Sequence, residues 1–237
     1  MVPEHGPASS RAGGFMGGET RVTLQVDVFW SFRSPYSYLA TPRLVELTRR
    51  YDLVINARPV YPLAVRQAQF FDHVHPQWIP YLLRDTARIA QMQGLAYRWP
   101  SPDPVKIDPA TRHGTPDQPH IHWLTRLGCA AQEAGNGLAF LDEVSRVIWG
   151  GTKNWHEGDH IALATARAGL DFGTLHAKIE GEPQKYEAII QENQRAHEAA
   201  GHWGVPTMVF EDEPFFGQDR IDVLEWRLKQ SGLQLRS

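Results

Sequence analysis

The 237-residue chain holds a single cysteine, Cys129. One thiol forms no internal disulfide and cannot run a two-cysteine redox cycle, which excludes a disulfide-stapled scaffold and a self-contained dithiol enzyme. So few thiols fit a reducing cytoplasm. Excess charge of one sign is also missing: 24 Lys and Arg against 27 Asp and Glu give a net charge of -3. That balance gives no reason to expect nucleic acid or an anionic membrane as partner. No apolar run reaches the ~20 residues of a membrane-spanning helix. The opening MVPEHGPASSRAGGFMGGET lacks the apolar stretch of a secretory signal, and its Gly, Ser, Pro and Ala content predicts a disordered lead over residues 1–20. What remains is ordinary for a globular protein, long enough for one core or for one core with an inserted lobe.

Val22, Leu24, Val26, Val28 and Trp30 alternate with Thr23, Gln25, Asp27 and Phe29, a strand of period two. Ser34 then has the attributes of a helix N-cap with Pro35 at the first helical position. The helix carries Leu39, Leu44, Leu47 and Tyr51 toward a core, ends near Arg50, and should kink at Pro42, which deletes one backbone hydrogen bond. A second strand spans residues 53–60. At the other end, residues 207–210 predict a strand, Glu211-Asp212-Glu213 a turn and residues 214–216 a returning strand. A helix then opens at residues 217–220 and stops at Gly232. The middle reads almost entirely helical, with stops at Gly94, near Gly135, at Gly150, near Gly169 and at Gly201. A proline-rich loop covers residues 98–119.

A βαβ opening and a ββα closing, separated by helices, outline an α/β thioredoxin fold with a large inserted all-helical domain. On this reading residues 21–61 and 202–237 form the thioredoxin-like domain, and residues 62–201 the helical insertion.

Ser34-Pro35-Tyr36-Ser37 is a C-x-x-C disulfide motif with serine in place of both cysteines. A serine cap alone contributes about 1 kcal/mol to a helix. A helix N-terminus also favours an anion, and a serine hydroxyl there can donate to a thiolate brought from outside. Two further stretches matter. In His202-Trp203-Gly204-Val205-Pro206-Thr207, Pro206 enters a strand; were it cis, it would turn the backbone of Val205 outward to pair with an extended peptide. In Gly217-Gln218-Asp219-Arg220, Gln218 and Asp219 either cap a helix or hold the amine or carboxylate of a small peptide.

Together these stretches, with Phe29-Trp30 before the first and Tyr38-Leu39 after it, resemble the DsbA-related thioredoxin-fold proteins. Within them, the sequence is similar to 2-hydroxychromene-2-carboxylate isomerases and kappa-class glutathione transferases. Tyr81-Leu82-Leu83-Arg84-Asp85, Arg98-Trp99-Pro100 and Ala168-Gly169-Leu170-Asp171 add to the likeness, which spans about residues 22–232. The resemblance implies a glutathione-dependent isomerase acting on a small aromatic-catabolic substrate, and a homodimer. Ser34 would lie beside the glutathione sulfur as the catalytic residue. Val205 before a cis Pro206 would pair with the glutathione backbone, and Gln218 and Asp219 would hold the γ-glutamyl end. The asparagine and lysine that such proteins carry after the second strand have no match in RPVYPLAVRQAQFFDHV, where Arg66 offers a positive charge. A kappa-like glutathione transferase and a non-catalytic thioredoxin-fold binding protein are the alternatives.

His156-Glu157-Gly158-Asp159-His160 matches the H-E-x-x-H of zinc proteases, which needs both histidines on one face of an established helix. Its glycine and its place after Gly150-Gly151 predict a turn or helix start with Asp159 as N-cap, so no metal is expected. The pairs His73/His75 and His120/His122 read as loop histidines, and Cys129 as a buried, inert thiol. Trp99 and Trp155 are candidates for an aromatic substrate pocket.

Overall fold

The computed structural model describes residues 23–111 and 113–236; the expected lead over residues 1–20 lies outside them, as do Arg21 and Val22. Strand β1 (Leu24–Trp30) leads into helix α1 (Pro35–Arg50) and strand β2 (Leu53–Pro59). The short helix α2 (Leu63–Arg66) and a 3-10 turn (Ala68–Asp72) follow. Six helices come next: α3 (Trp78–Gln93), α4 (Pro119–Glu133), α5 (Gly137–Trp149), α6 (His160–Arg167), α7 (Phe172–Gly181) and α8 (Pro183–Ala199). The chain closes with β3 (Thr207–Phe210), β4 (Glu213–Phe216), a 3-10 turn (Gln218–Arg220) and α9 (Ile221–Gln230).

The four strands form one sheet in the order β2-β1-β3-β4. β1 and β2 are parallel, with Val28 opposite Ala57, and β3 is antiparallel to both β1 and β4. Strands from opposite ends of the chain are therefore neighbours in the centre of the sheet. The alternation in β1 buries Val26, Val28 and Trp30 on one face, where Trp30 meets α1 at Ser37 and Thr41, as a strand of period two requires. Phe29, on the other face, is also buried and stacks on His197 of α8 at 4.7 Å. Both faces of the central strand are thus covered by helices.

The predicted helix stops at Gly94, Gly135, Gly169, Gly201 and Gly232 all have positive φ, so the glycines end these helices in the left-handed conformation. Gly150 does not; Gly151 takes that role, at φ 99°. Helix α7 starts at Asp171, whose carboxylate accepts from the Thr174 N–H at 2.7 Å. Helix α1 continues unbroken through Pro42. The expected three-residue turn at Glu211 is two residues long, Glu211 and Asp212, both with positive φ, and Glu213 already belongs to β4. This tight turn is the kind whose twist matches paired antiparallel strands. None of the described helices is long and apolar enough to cross a membrane.

Candidate active site

Helix α1 begins where β1 runs out, and the sequence determines how. Ser34 is extended (φ -93°, ψ 115°) and its Oγ accepts from the Ser37 N–H at 3.1 Å, while Pro35 fills the first helical position. The Trp30 indole reaches across from β1 and donates to the Ser37 carbonyl at 3.1 Å and to Thr41 Oγ1 at 3.0 Å. The first turn of the helix is thereby tied to the sheet.

Facing this turn is the Val205-Pro206 peptide bond, which is cis. The Ser34 hydroxyl donates to the Val205 carbonyl at 3.2 Å across a separation of 171 residues. The Val205 N–H takes no partner among the described residues. Of the two Val205 backbone groups expected to face a peptide, the N–H is free and the carbonyl accepts from Ser34 with one lone pair, leaving a second. Pro206 anchors the next element, because its carbonyl accepts from the Gly217 N–H at 2.9 Å. Gln218 and Asp219 follow at once in the 3-10 turn, which Arg43 of α1 fastens by donating to the Gln218 carbonyl at 3.0 Å. Asp219 is exposed, with Arg220 at 3.5 Å.

Ser34, Val205, Gln218 and Asp219 all line one cleft of about 980 Å³. Pro206 is not among the residues that line it. The opposite wall is apolar and comes mainly from the insertion: Phe71, Trp78, Ile79, Leu82, Leu83 and Ile89. Trp78, Ile79 and Leu83 remain more than a third exposed. Apolar side chains left open together in a concave wall are the mark of a small-molecule site.

Sequence reasoning missed two polar pairs that reach this cleft. The Tyr36 hydroxyl donates to Asp85 Oδ2 at 2.9 Å, and burial together with that carboxylate pushes the phenol well above its ordinary range. Arg33 and Asp103 form the second pair, at 3.0 Å. Neither has a sequence signal, since the partners lie 49 and 70 residues apart. The apolar wall did have one. Trp78-Ile79 and Leu82-Leu83 make a stripe on α3 wider than its buried face, which holds Leu82, Thr86 and Ala90.

Two expectations change. Arg66 does not line the cleft. It donates to the Tyr61 carbonyl at 2.7 Å and the Trp203 carbonyl at 3.0 Å, bracing α2 against the segment that carries Val205. Trp155 is fully buried, its indole donating to the Pro102 carbonyl at 2.8 Å, so it belongs to the core; Trp99 does line the cleft. Ser37, the second serine of the motif, is fully buried and its hydroxyl has no partner.

His156 sits in the turn before α6 and His160 at its first residue, with Gly158 left-handed between them, so the two do not share a helix face. Among the described residues, no group of three or more His, Cys, Asp or Glu is placed to hold a metal ion. Cys129 is buried in α4, and burial pushes its thiol up to about 12, which leaves it inert.

A parallel βαβ unit closed by a β-hairpin and helix, with a cis proline facing the start of the first helix, defines a thioredoxin-fold protein. Residues 25–229 match the DSBA-like thioredoxin domain, and the chain belongs to that family. Among curated proteins it is similar to the 2-hydroxychromene-2-carboxylate isomerase of Sphingobium xenophagum, 28% identical over 211 residues, 86% of this chain and 97% of the other. It is 27% identical to the enzyme of the same name from Pseudomonas putida, over 84% of this chain and 92% of the other. Among solved structures, a 2-hydroxychromene-2-carboxylate isomerase superposes with a TM-score of 0.65 at 22% identity, covering 87% of this chain and 95% of that one. At that identity the likeness is one of fold.

Proposed function

We propose that the protein is a glutathione-dependent isomerase acting on a conjugated small molecule, as the similarity to named isomerases over most of the chain suggests. The observation that carries the reading is the Ser34–Val205 contact at the mouth of an apolar cleft, in a chain whose own thiol is buried elsewhere.

The residues present fit a thiol peptide. The free Val205 N–H and the carbonyl beside it are an edge for an extended backbone. The exposed Asp219 carboxylate and the Gln218 amide suit an amino-acid end with both charges. Ser34 and the start of α1 suit the sulfur. Bound there, glutathione supplies a nucleophilic thiolate whose reversible addition to a conjugated carbon allows rotation about the former double bond.

The rest is the work of this chain. The Ser34 hydroxyl has one proton, and that proton is committed to the Val205 carbonyl. The Val205 carbonyl has a second lone pair, so a peptide N–H can pair there while the Ser34 hydroxyl turns its proton to the sulfur. The wall from α3 excludes water from the other side, which strengthens these polar contacts.

The test is to titrate glutathione into the protein and follow thiolate ultraviolet absorbance against pH. Saturable binding with a depressed thiol pKa is expected, whereas unbound behaviour at all concentrations would remove glutathione from the reading. Product analysis separates the isomerase from a glutathione transferase: the thiol is recovered in the first case and consumed as a conjugate in the second.

A further inference from the structure

Among the described residues lining the cleft, three are charged: Arg33, Asp85 and Asp219. Arg33 is the one cation. It stands immediately before Ser34, and its guanidinium is held in a defined orientation. Nε donates to Asp103 Oδ1 at 3.1 Å and one terminal nitrogen donates to Oδ2 at 3.0 Å. The Trp99 ring lies beneath, with its centroid 5.3 Å from the guanidinium carbon.

Two features hold this pair in one orientation and leave part of it open to a further anion. First, Asp103 is fully occupied by donors. Its Oδ1 also accepts from the Val105 N–H at 2.9 Å, and its Oδ2 from the Trp99 indole at 3.2 Å. Four N–H groups fix this carboxylate in place, and with it the orientation of the Arg33 guanidinium. Second, the pairing is side-on, through Nε and one terminal nitrogen. That leaves the other edge of the guanidinium, formed by the second terminal nitrogen and the outer hydrogen of the first. The second terminal nitrogen takes no partner among the described residues and is not buried. A planar guanidinium with one edge clamped and one edge free is built to receive a second carboxylate in two parallel hydrogen bonds.

We propose that Arg33 is the specificity-determining residue of this cleft, seating the carboxylate of a conjugated acid whose flat body lies along the apolar wall from α3. The proposal rests on the isomerase reading, because it names the residue of the same site that reads the charge of its substrate. Asp85 supports the orientation: its carboxylate repels an acid from the Tyr36 side, leaving Arg33 as the end where the anion is attracted. Glutathione also carries carboxylates, so the shared chemistry has two sources that the experiment must distinguish.

The probes are trans-cinnamate and its uncharged amide, which share a planar conjugated body and differ in the anion. Their binding is measured by calorimetry on the wild-type protein, on Arg33→Met and on Asp103→Asn, with glutathione titrated separately into each. Wild type is expected to prefer cinnamate by about ten-fold, the scale of a charge-assisted bidentate contact. Arg33→Met should bind both probes equally, Asp103→Asn should lose part of the preference, and glutathione affinity should stay unchanged in both. No preference in wild type, no binding of either probe, or a preference that survives Arg33→Met overturns the proposal. So does a loss of glutathione affinity in Arg33→Met with cinnamate binding intact, which would assign the edge to the thiol peptide. Failure of glutathione to bind any of the three proteins would count against the cofactor reading alone, since the cinnamate comparison is scored without it.

Discussion

The two serines of Ser34-Pro35-Tyr36-Ser37 are chemically identical and physically unlike. Ser34 stands in the cleft, capping α1 and donating to Val205. Ser37 is fully buried one turn on, and its hydroxyl finds no acceptor or donor. Their replacements should therefore diverge. Ser34→Ala removes a cap worth about 1 kcal/mol and the donor facing the sulfur. Thermal unfolding should shift slightly, while the thiol pKa of bound glutathione rises and isomerisation slows by about 100-fold, the scale of losing one donor to a developing anion. Ser37→Ala removes a buried polar group that is already unpaired, so stability should hold or rise and activity should not change. Equal effects in calorimetry and kinetics would show that the two serines are not distinguished in this way.

Helix α4 is what brings the insertion against the sheet, and one small residue sets the distance. A Cβ on Gly128 would meet Pro59 Cγ at 3.0 Å and Phe32 Cε2 at 3.2 Å, closer than ordinary packing permits. The same helix is pinned by Gln132, whose Oε1 accepts from the Ala57 N–H of β2 at 2.9 Å. Overfilling this contact with Gly128→Val should cost about 1–3 kcal/mol, read as a lower unfolding midpoint in urea. The helical positions in the sequence were legible because glycine ends a helix by a local rule that needs no partner. The short α2 and the turn after it were not. Four helical residues give too little periodicity to read, and Arg66 holds them to Trp203 from 137 residues away.

At the scale of the molecule, His197 reports how the sheet and the insertion are joined. It lies on α8, fully buried, stacked on Phe29 of β1, with neither ring nitrogen paired. Burial lowers its pKa to about 4, and the nearby Arg66 and His202 charges add to the effect. The unfolded chain, with an ordinary histidine near 6.5, binds this proton more readily than the folded one. Stability should therefore be full above about pH 6.5 and fall as the pH drops from there through 4. His197→Phe keeps a ring on Phe29 and removes the titration, so its stability curve should be flatter across that window. A wild-type and variant pair with parallel curves would show that the buried imidazole does not govern the acid side.

What the sequence determined by itself is what short-range physics governs. Alternation in β1, the cap at Ser34, proline at the first helical position and glycine at helix ends each act within a few residues, and together they outlined the fold and its DsbA-like kinship. Tertiary structure decided what depends on groups remote in sequence. It put the Val205 carbonyl on the Ser34 hydroxyl, sent Arg66 to a bracing role and buried Trp155. It also built the cleft from a wall on α3 and pairs at Tyr36–Asp85 and Arg33–Asp103. None of those contacts has a local energetic preference to betray it. The Ser34–Val205 and Arg66–Trp203 contacts follow from closing β1 against β3, and the Tyr36–Asp85 pair follows from packing α3 on α1.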